Sequence, residues 1–227
     1  MNEVRIKDFL LKQGLTLEGA CGLMGNLYAE SLLEPKNLQN SYESKLGYND
    51  ETYTKAVDDC SYSRTSFVND KAGYGIAQWT FWSRKEGLYD YVKSNNRSIG
   101  DLETQLEYLM MEMAMSYPKV LDVLQSSDSI IETTKVVLEQ YEKPAGDWNT
   151  ILKTRSAKSM EYYAMFKDEV NDEIVQSPCE CGCECDCEGK ECHCVKETEK
   201  ETDEEDFIKM DMIVRGKRYK GTLYRVD

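Results

Sequence analysis

The sequence predicts a mainly α-helical domain of the α+β class, with a small β-turn or hairpin region, an acidic linker and a C-terminal β-hairpin. Three observations predict this arrangement. Apolar residues recur at helical spacing through about residue 168. Residues 171–206 carry fourteen Asp and Glu against three Lys, and residues 207–227 alternate polar and apolar side chains. We therefore expect three segments, at 1–168, 169–206 and 207–227.

The first two predicted helices cover residues 3–13 and 17–31. The second is the better defined, because Thr16 can cap its first turn and Pro35 lies beyond its end. Its apolar residues fall at the i, i+3, i+4, i+7 spacing of one buried face. They are Leu17, Ala20, Cys21, Met24, Leu27 and Tyr28.

Glu30 falls at the edge of this apolar face, in the last turn of the helix. Partial burial and the negative end of the helix dipole both disfavour its charged form, so we expect it to hold a proton readily. A carboxylic acid of this kind can serve as a general acid. A solvated glutamate at a helix end is the alternative interpretation.

A glycine-rich turn follows at residues 73–79. Gly73 and Gly75 allow a tight turn and a close approach to a ligand, and the amide of Gln78 can donate and accept hydrogen bonds. Trp79, Phe81 and Trp82 offer apolar, stacking surfaces. An ordinary turn packed on the core is the alternative. We interpret residues 41–70, between the helix and this turn, as a long loop or short hairpin above a cleft.

Four further helices are predicted over about residues 83–94, 102–113, 130–141 and 150–167. The clearest apolar stripes are Leu102, Leu106, Leu109, Met110 and Met113, and then Ile130, Ile131, Thr134, Val137, Leu138 and Tyr141. We interpret the methionine-rich run at 110–115 as core packing rather than a metal or peptide site.

Four separated elements carry a family pattern. Residues 22–31 read Gly-x-x-Gly-Asn-x-x-x-Glu-Ser, residues 37–40 follow in the expected place, and residues 73–78 are similar to a Gly-aromatic-Gly-Leu-x-Gln turn. A closing Tyr-Glu-x-Pro lies at 141–144, and an Arg and a Tyr follow at 155 and 162. Over residues 1–168 the chain resembles the phage tail lysozyme family, a branch of the lysozyme-like superfamily related to goose-type lysozymes and soluble lytic transglycosylases.

This resemblance implies a peptidoglycan glycosidase that cleaves the β-1,4 bond between N-acetylmuramic acid and N-acetylglucosamine. It implies Glu30 as the general acid, with no cofactor for catalysis. The substrate-binding residues that it implies are Ser31, Gly73, Tyr74, Gly75, Gln78, Trp79 and Tyr141.

The second catalytic carboxylate is less well defined. Goose-type relatives place one Asp before the glycine turn and another after it, whereas this chain has Asp70 before the turn and Thr80 after it. Asp70 is therefore the candidate that would hold a water or steady positive charge on the sugar, and a plain turn residue is the alternative. Without a second carboxylate, the C6 hydroxyl of muramic acid can attack, which is the lytic transglycosylase route.

The linker contains seven of the nine cysteines and the only histidine within residues 179–194. Cys-x-Cys spacing puts neighbouring thiolates on one side of an extended backbone, which suits a soft cation such as Zn²⁺. The expected ligands are Cys179, Cys181, Cys183, Cys185, Cys187, Cys192, His193 and Cys194. The alternatives are disulfide exchange and an acidic tether whose thiols have no function.

The expected partners are bacterial peptidoglycan and, through the basic hairpin at 207–227, phage tail or wall-associated proteins. We expect no nucleic acid partner, no membrane span and no signal peptide, and hence a virion-associated or extracellular enzyme that reaches the wall by another route. A catalytically weak wall-binding or tail-structural protein is the competing functional class.

Overall fold

The computed structural model describes residues 2–176, 207–214 and 217–224, with side chains described through residue 168. Within these ranges it confirms the mainly helical prediction. The helices are α1 Asn2–Lys12, α2 Leu17–Ser31, α3 Asn40–Leu46, α4 Asp50–Asp58, α5 Arg64–Asn69, α6 Trp82–Ser94, α7 Leu102–Ser116, α8 Pro118–Ser126, α9 Ile130–Val136, a π-helical turn Val137–Glu142, and α10 Trp148–Gln176.

Helix α2 packs against α1, α8, α9, α10 and the π-helical turn. Its glycines make this possible, because a Cβ at Gly22 would lie 2.2 Å from the Thr133 hydroxyl of α9, and one at Gly25 would lie 2.0 Å from the Ser159 hydroxyl of α10. The Thr16 side chain caps the helix by accepting a hydrogen bond from the backbone N–H of Gly19 at 2.9 Å. Because these positions carry no side chain, the neighbouring elements can approach the backbone of α2.

The expectation of a loop or hairpin over residues 41–70 is wrong, since this segment contains α3, α4 and α5. Each helix is too short to show several turns of apolar periodicity, but local capping defines it. Asn49 and Thr52 form a reciprocal capping box at the start of α4, and the Ser63 side chain caps α5. The buried rings of Tyr53 and Phe67 then attach these helices to the core.

The glycine-rich turn contains isolated β-bridges, which pair Tyr74 with Trp79 and Leu38 with Tyr74. Gly75 adopts a φ of 79°, and a Cβ there would lie 2.6 Å from the Gln105 side-chain oxygen. Only glycine suits this position, because both the backbone angle and the contact exclude a side chain. Gln105 fixes the turn by accepting a hydrogen bond from the N–H of Ile76 at 2.9 Å.

The predicted helix at 130–141 changes character partway along. It is α-helical only through Val136 and then widens into the π-helical turn, which ends at Lys143 in a left-handed conformation before Pro144. Helix α10 follows and continues to Gln176, past the boundary expected at 168. It packs along α2 and α9, so the last helix closes the helical unit around the second.

The C-terminal unit contains the antiparallel strands β1 Phe207–Val214 and β2 Lys217–Tyr224. Phe207 pairs with Tyr224 and Val214 pairs with Lys217. The expected turn residues 215–216 and the cysteine cluster at 179–194 lie outside the described residues. Among the helices that the structure describes, none has the length and apolar character needed to cross a membrane.

Candidate active site

A cleft of about 450 Å³ lies where α2, the glycine-rich turn, the start of α6 and the π-helical turn meet. Carboxyl, amide, guanidinium and aromatic groups surround it. The lining residues are Glu30, Gln39, Gln78, Thr80, Phe81, Arg84 and Glu142. A concave site with two carboxyl groups and an aromatic wall has the composition of a glycan-cleaving site.

Glu30 reaches the cleft from the last turn of α2, and its side chain is 21% exposed. Its Oε1 accepts a hydrogen bond from Nη2 of Arg155 on α10 at 2.5 Å. Nη1 of the same arginine donates to Oδ1 of Asn26 at 3.1 Å, and Nδ2 of Asn26 donates to the carbonyl oxygens of Gly22 and Thr134. This chain of bonds fixes Arg155, and Arg155 in turn orients Glu30.

Glu142 is the second carboxyl of the cleft, at the end of the π-helical turn. Its Oε1 is buried and has no hydrogen-bond partner among the described residues. Burial, followed by the nearby Glu30 carboxyl, raises the pKa of Glu142 to about 8, against the opposing effect of Arg84 and Arg155. Its surroundings therefore favour the protonated form of Glu142.

Glu112 on α7 accepts hydrogen bonds from three side chains beside or beneath the cleft. It binds the Arg84 guanidinium in two places, Nε to Oε1 at 2.7 Å and Nη2 to Oε2 at 2.9 Å. Its Oε2 also accepts hydrogen bonds from Trp79 Nε1 at 3.1 Å and from the Tyr141 hydroxyl at 2.6 Å. Trp79 and Tyr141 were expected to bind substrate, but both are buried. Their polar atoms hold Glu112 and their rings pack in the core, so a substrate contact by either residue stays a prediction that the burial does not favour.

Gln78 lines the cleft and has a φ of 44°. Its Nε2 donates to the carbonyl oxygens of Asn37 and Gly75 and to the Asn37 side-chain oxygen. Because carbonyl oxygens can only accept, they fix the orientation of the amide. Gln78 can therefore offer a ligand only its Oε1, which accepts a hydrogen bond. The sequence had indicated that its amide would both donate and accept.

Ser31, Tyr74, Gly73 and Gly75 hold the turn in place and do not line the cleft. The buried Ser31 hydroxyl donates to the carbonyl oxygen of Ile76 at 2.9 Å, and the buried Tyr74 hydroxyl bonds with that of Thr54 at 2.6 Å. The Gly73 N–H donates to the side-chain oxygen of Gln39 at 3.0 Å. The expectation that these residues contact substrate is thus corrected to a positioning role, since each polar group already has a protein partner.

Asp70 does not line the cleft. Its side chain is 3% exposed and accepts a hydrogen bond from the fully buried Lys85 Nζ at 2.5 Å. The hydroxyls of Tyr53 and Tyr62 also donate to it, at 2.5 and 3.3 Å. Asp70 thus neutralises Lys85 inside the core, and its role as the second carboxylate stays a prediction that this geometry does not favour.

Two aromatic side chains are exposed at the start of α6. Phe81 is 61% exposed and lines the cleft, Trp82 is 46% exposed, and their ring centroids lie 5.9 Å apart. They match the stacking surfaces expected after the glycine-rich turn, in contrast to the buried Trp79. An exposed aromatic ring beside a polar cleft suits the apolar face of a sugar ring.

Sequence reasoning assigned no role to Glu142, Arg155, Arg84, Glu112 or Gln39. Glu142 and Arg155 do lie in the closing motifs at 141–144 and 155–162, so the motif contained a signal for them. In the described part of the chain, no group of three or more His, Cys, Asp and Glu residues is placed to hold a metal ion. The expected zinc ligands at 179–194 lie outside that part.

Comparison with known proteins finds a family and a curated phage protein that the chain resembles. A family model described as phage tail lysozyme matches residues 1–166. The chain is also similar to Morphogenesis protein 1 of Bacillus phage B103, with 24% identity over 153 residues, which is 64% of this chain and 34% of that protein. The match therefore spans about a third of the length of this curated relative.

Proposed function

The chain belongs to the phage tail lysozyme family, and from this premise we propose that it cleaves the β-1,4 bond between N-acetylmuramic acid and N-acetylglucosamine in bacterial peptidoglycan. The family match confirms the resemblance identified in the sequence. The bond cleaved and the residue that protonates it are our proposal.

The proposal rests on the side chains that meet at the cleft. Glu30 enters the cleft from α2, keeps part of its carboxyl exposed, and is held from behind by Arg155. Phe81 forms an exposed wall of the same cleft, and Gln78 lines it with its amide nitrogen bonded to backbone. A bound sugar would therefore meet an acid, an acceptor and an aromatic surface together.

In the proposed reaction, Glu30 gives its proton to the glycosidic oxygen as the bond between that oxygen and C1 of muramic acid breaks. The resulting carboxylate is stabilised by the Arg155 guanidinium. The carboxylate then takes a proton from the group that attacks C1. With that step Glu30 regains its proton and the site is ready for another cycle.

The attacking group decides the product. Attack by water gives a reducing end, whereas attack by the C6 hydroxyl of the same muramic acid gives a 1,6-anhydro end. The position of Asp70 favours the second route, because this candidate for a water-holding carboxylate does not line the cleft. Burial and the Glu30 charge raise the pKa of Glu142, the other carboxyl lining the cleft, which favours its neutral form and makes it a poor base.

Mass spectrometry of muropeptides released from purified cell walls tests the proposal. The parent should release disaccharide-peptide fragments, and Glu30→Gln should lower the rate by about 10²- to 10⁴-fold, the usual contribution of a positioned acid. Glu34→Gln, an exposed glutamate just beyond α2, is the matched control and should leave the rate unchanged. Release by Glu30→Gln at the parent rate would contradict the assignment, and a parent that binds walls without cleaving them would indicate a wall-binding protein instead.

We also propose that the enzyme acts as part of a phage particle or beside the wall. The similarity to a phage morphogenesis protein supports this setting. The basic residues at 215–225 could contact a tail component or an anionic wall polymer, and the cysteines and histidine at 179–194 could bind Zn²⁺. Neither role is needed for the chemistry of the cleft.

A further inference from the structure

Glu142 is a carboxyl group of the cleft that the mechanism above does not use. It lies at the end of the π-helical turn, and this turn carries it into the cavity that Glu30 enters from α2. Its Oε1 is buried without a hydrogen-bond partner among the described residues. A buried carboxylate in that position would leave a charge without a donor, which is costly.

The charged groups around Glu142 come from four helices. Glu30 on α2 and Glu112 on α7 oppose a negative charge on it, whereas Arg84 on α6 and Arg155 on α10 favour one. Both arginines are already engaged, Arg84 with both oxygens of Glu112 and Arg155 with Glu30 and Asn26. The cations near Glu142 are therefore directed at other acceptors.

The two carboxyls of the cleft thus differ in their hydrogen-bond donors. Oε1 of Glu30 accepts a hydrogen bond from the Arg155 guanidinium. Glu142 has no donor on its buried oxygen, which favours its acid form. Because the two carboxyls line one cavity, the charge of Glu30 also opposes ionisation of Glu142.

We propose that Glu142 stores the proton that Glu30 delivers to the glycosidic oxygen, so that the two residues form one acid of the cleft. This inference rests on the proposed function, because it deepens the role of the same site. Glu142 acts here through Glu30 and is a positioning residue for the proton.

The proton balance of the cycle is simple. The O–H bond of Glu142 breaks as one forms on Glu30, directly or through one water molecule in the cavity, and the negative charge moves to Glu142. Glu30 then gives the proton to the leaving oxygen and becomes a carboxylate. The proton released by the attacking hydroxyl returns to the pair, which regains its single proton and its original charge.

The pH dependence of cleavage tests this inference. The parent should lose activity as the pair loses its proton near pH 8. Glu142→Gln should keep nearly the parent rate at pH 5, but its alkaline limit should move about two units lower, so that the rate at pH 7 falls by about tenfold. Glu142→Asp retains an acid and should restore part of the alkaline range. Glu139→Gln, an exposed glutamate on the same turn, should match the parent.

Two outcomes of the rate measurements would overturn the inference. One is a Glu142→Gln profile that coincides with the parent profile. The other is an equal loss of rate at every pH, which would show a purely structural role. Should Glu142→Gln fail to fold by circular dichroism, Glu142→Asp carries the same test, with an alkaline limit different from that of the parent as the supporting result.

A titration that does not depend on cleavage separates this inference from the proposed function. With ¹³C-labelled glutamate in the full chain, one side-chain carboxyl resonance should titrate near pH 8 and disappear in Glu142→Gln or Glu142→Asp. Titration of every glutamate below pH 6 would overturn the inference even in an active enzyme. A parent that releases no muropeptides but shows the resonance near pH 8 would instead refute the proposed function and leave the acidic pair in place.

Discussion

Asp70 and Lys85 form an ion pair inside the core, with Nζ and Oδ1 2.5 Å apart and side chains 3% and 0% exposed. Lys85 also donates to the carbonyl oxygen of Ala72, at the start of the glycine-rich turn, at 2.9 Å. Burial lowers the pKa of Lys85, and the Asp70 charge opposes that effect. The pair thus ties the α4–α5 region to the turn that forms one side of the cleft.

We expect Asp70→Asn to destabilise the fold without removing catalysis. Loss of one partner leaves the buried Lys85 charge uncompensated, which costs about 3–5 kcal/mol. Urea denaturation should show this loss, while kcat measured well below the unfolding temperature should stay near the parent value. Asp70→Asn combined with Lys85→Met should recover part of the lost stability. A folded Asp70→Asn enzyme with a tenfold lower kcat would restore Asp70 to the catalytic site.

Phe81→Ala should weaken glycan binding and leave the fold intact. The ring is largely exposed beside the cleft, so its removal costs little packing but removes a stacking surface worth about 0.5–1.5 kcal/mol. KM for soluble glycan fragments should rise by about two- to tenfold with a smaller change in kcat. Met165→Ala, at an exposed position on α10, is the control. An unchanged KM in Phe81→Ala would remove the aromatic wall from the binding site.

Glu142→Gln should be more stable than the parent at high pH. The pKa of Glu142 is raised to about 8 in the folded chain from an ordinary value of 4.5, so the folded state binds more protons between these values. The parent must therefore lose stability as pH rises from about 4.5 to 8, by about 1.4 kcal/mol per unit of pKa shift at most.

The variant lacks this titration, so its unfolding free energy relative to the parent should increase between pH 5 and pH 9. Urea denaturation at both values measures this difference, and Glu139→Gln should show no comparable change. A relative stability of Glu142→Gln that is independent of pH would contradict a buried, neutral Glu142.

A chain ending at Gln176 should keep the chemistry and lose any binding of zinc. The family match ends at 166 and the cleft-lining residues of the helical unit lie between Glu30 and Glu142, so we expect the chemistry not to need residues 177–227. The shortened chain should cleave soluble glycans at close to the full rate but lose retention on whole cells or particles.

Zinc uptake should appear in the full chain, measured by competition with a chromophoric chelator. Seven thiolates and one imidazole suffice for about two four-coordinate ions. Replacement of the seven linker cysteines with serine, with Cys21 and Cys60 kept, is the matched control.

A folded but inactive shortened chain would show that the tail contributes to the active site.

The sequence predicted those parts of the site that local patterns define. Glu30 could be placed on α2 because the cap at Thr16 and the apolar face both lie within a few turns of it. Asp70 could not be excluded, because its partner Lys85 is fifteen residues away and nothing in the pattern marks the pair as buried. Glu142 was overlooked for another reason. The apolar spacing at 130–141 indicates one regular helix. It does not reveal the wider π-helical turn that places Glu142 at the cleft.

The packing of α10 against α2 has a consequence for the order of synthesis. The ribosome produces Glu30 early, whereas Arg155, which orients it, and Ser159, which contacts Gly25, arrive with the last helix. A nascent chain that has not reached α10 therefore has its acid without its partner, in a helix whose glycine face is uncovered. Incomplete translation products should be harmless to the cell that makes them, and wall-cleaving activity should begin only when the whole helical unit has left the ribosome.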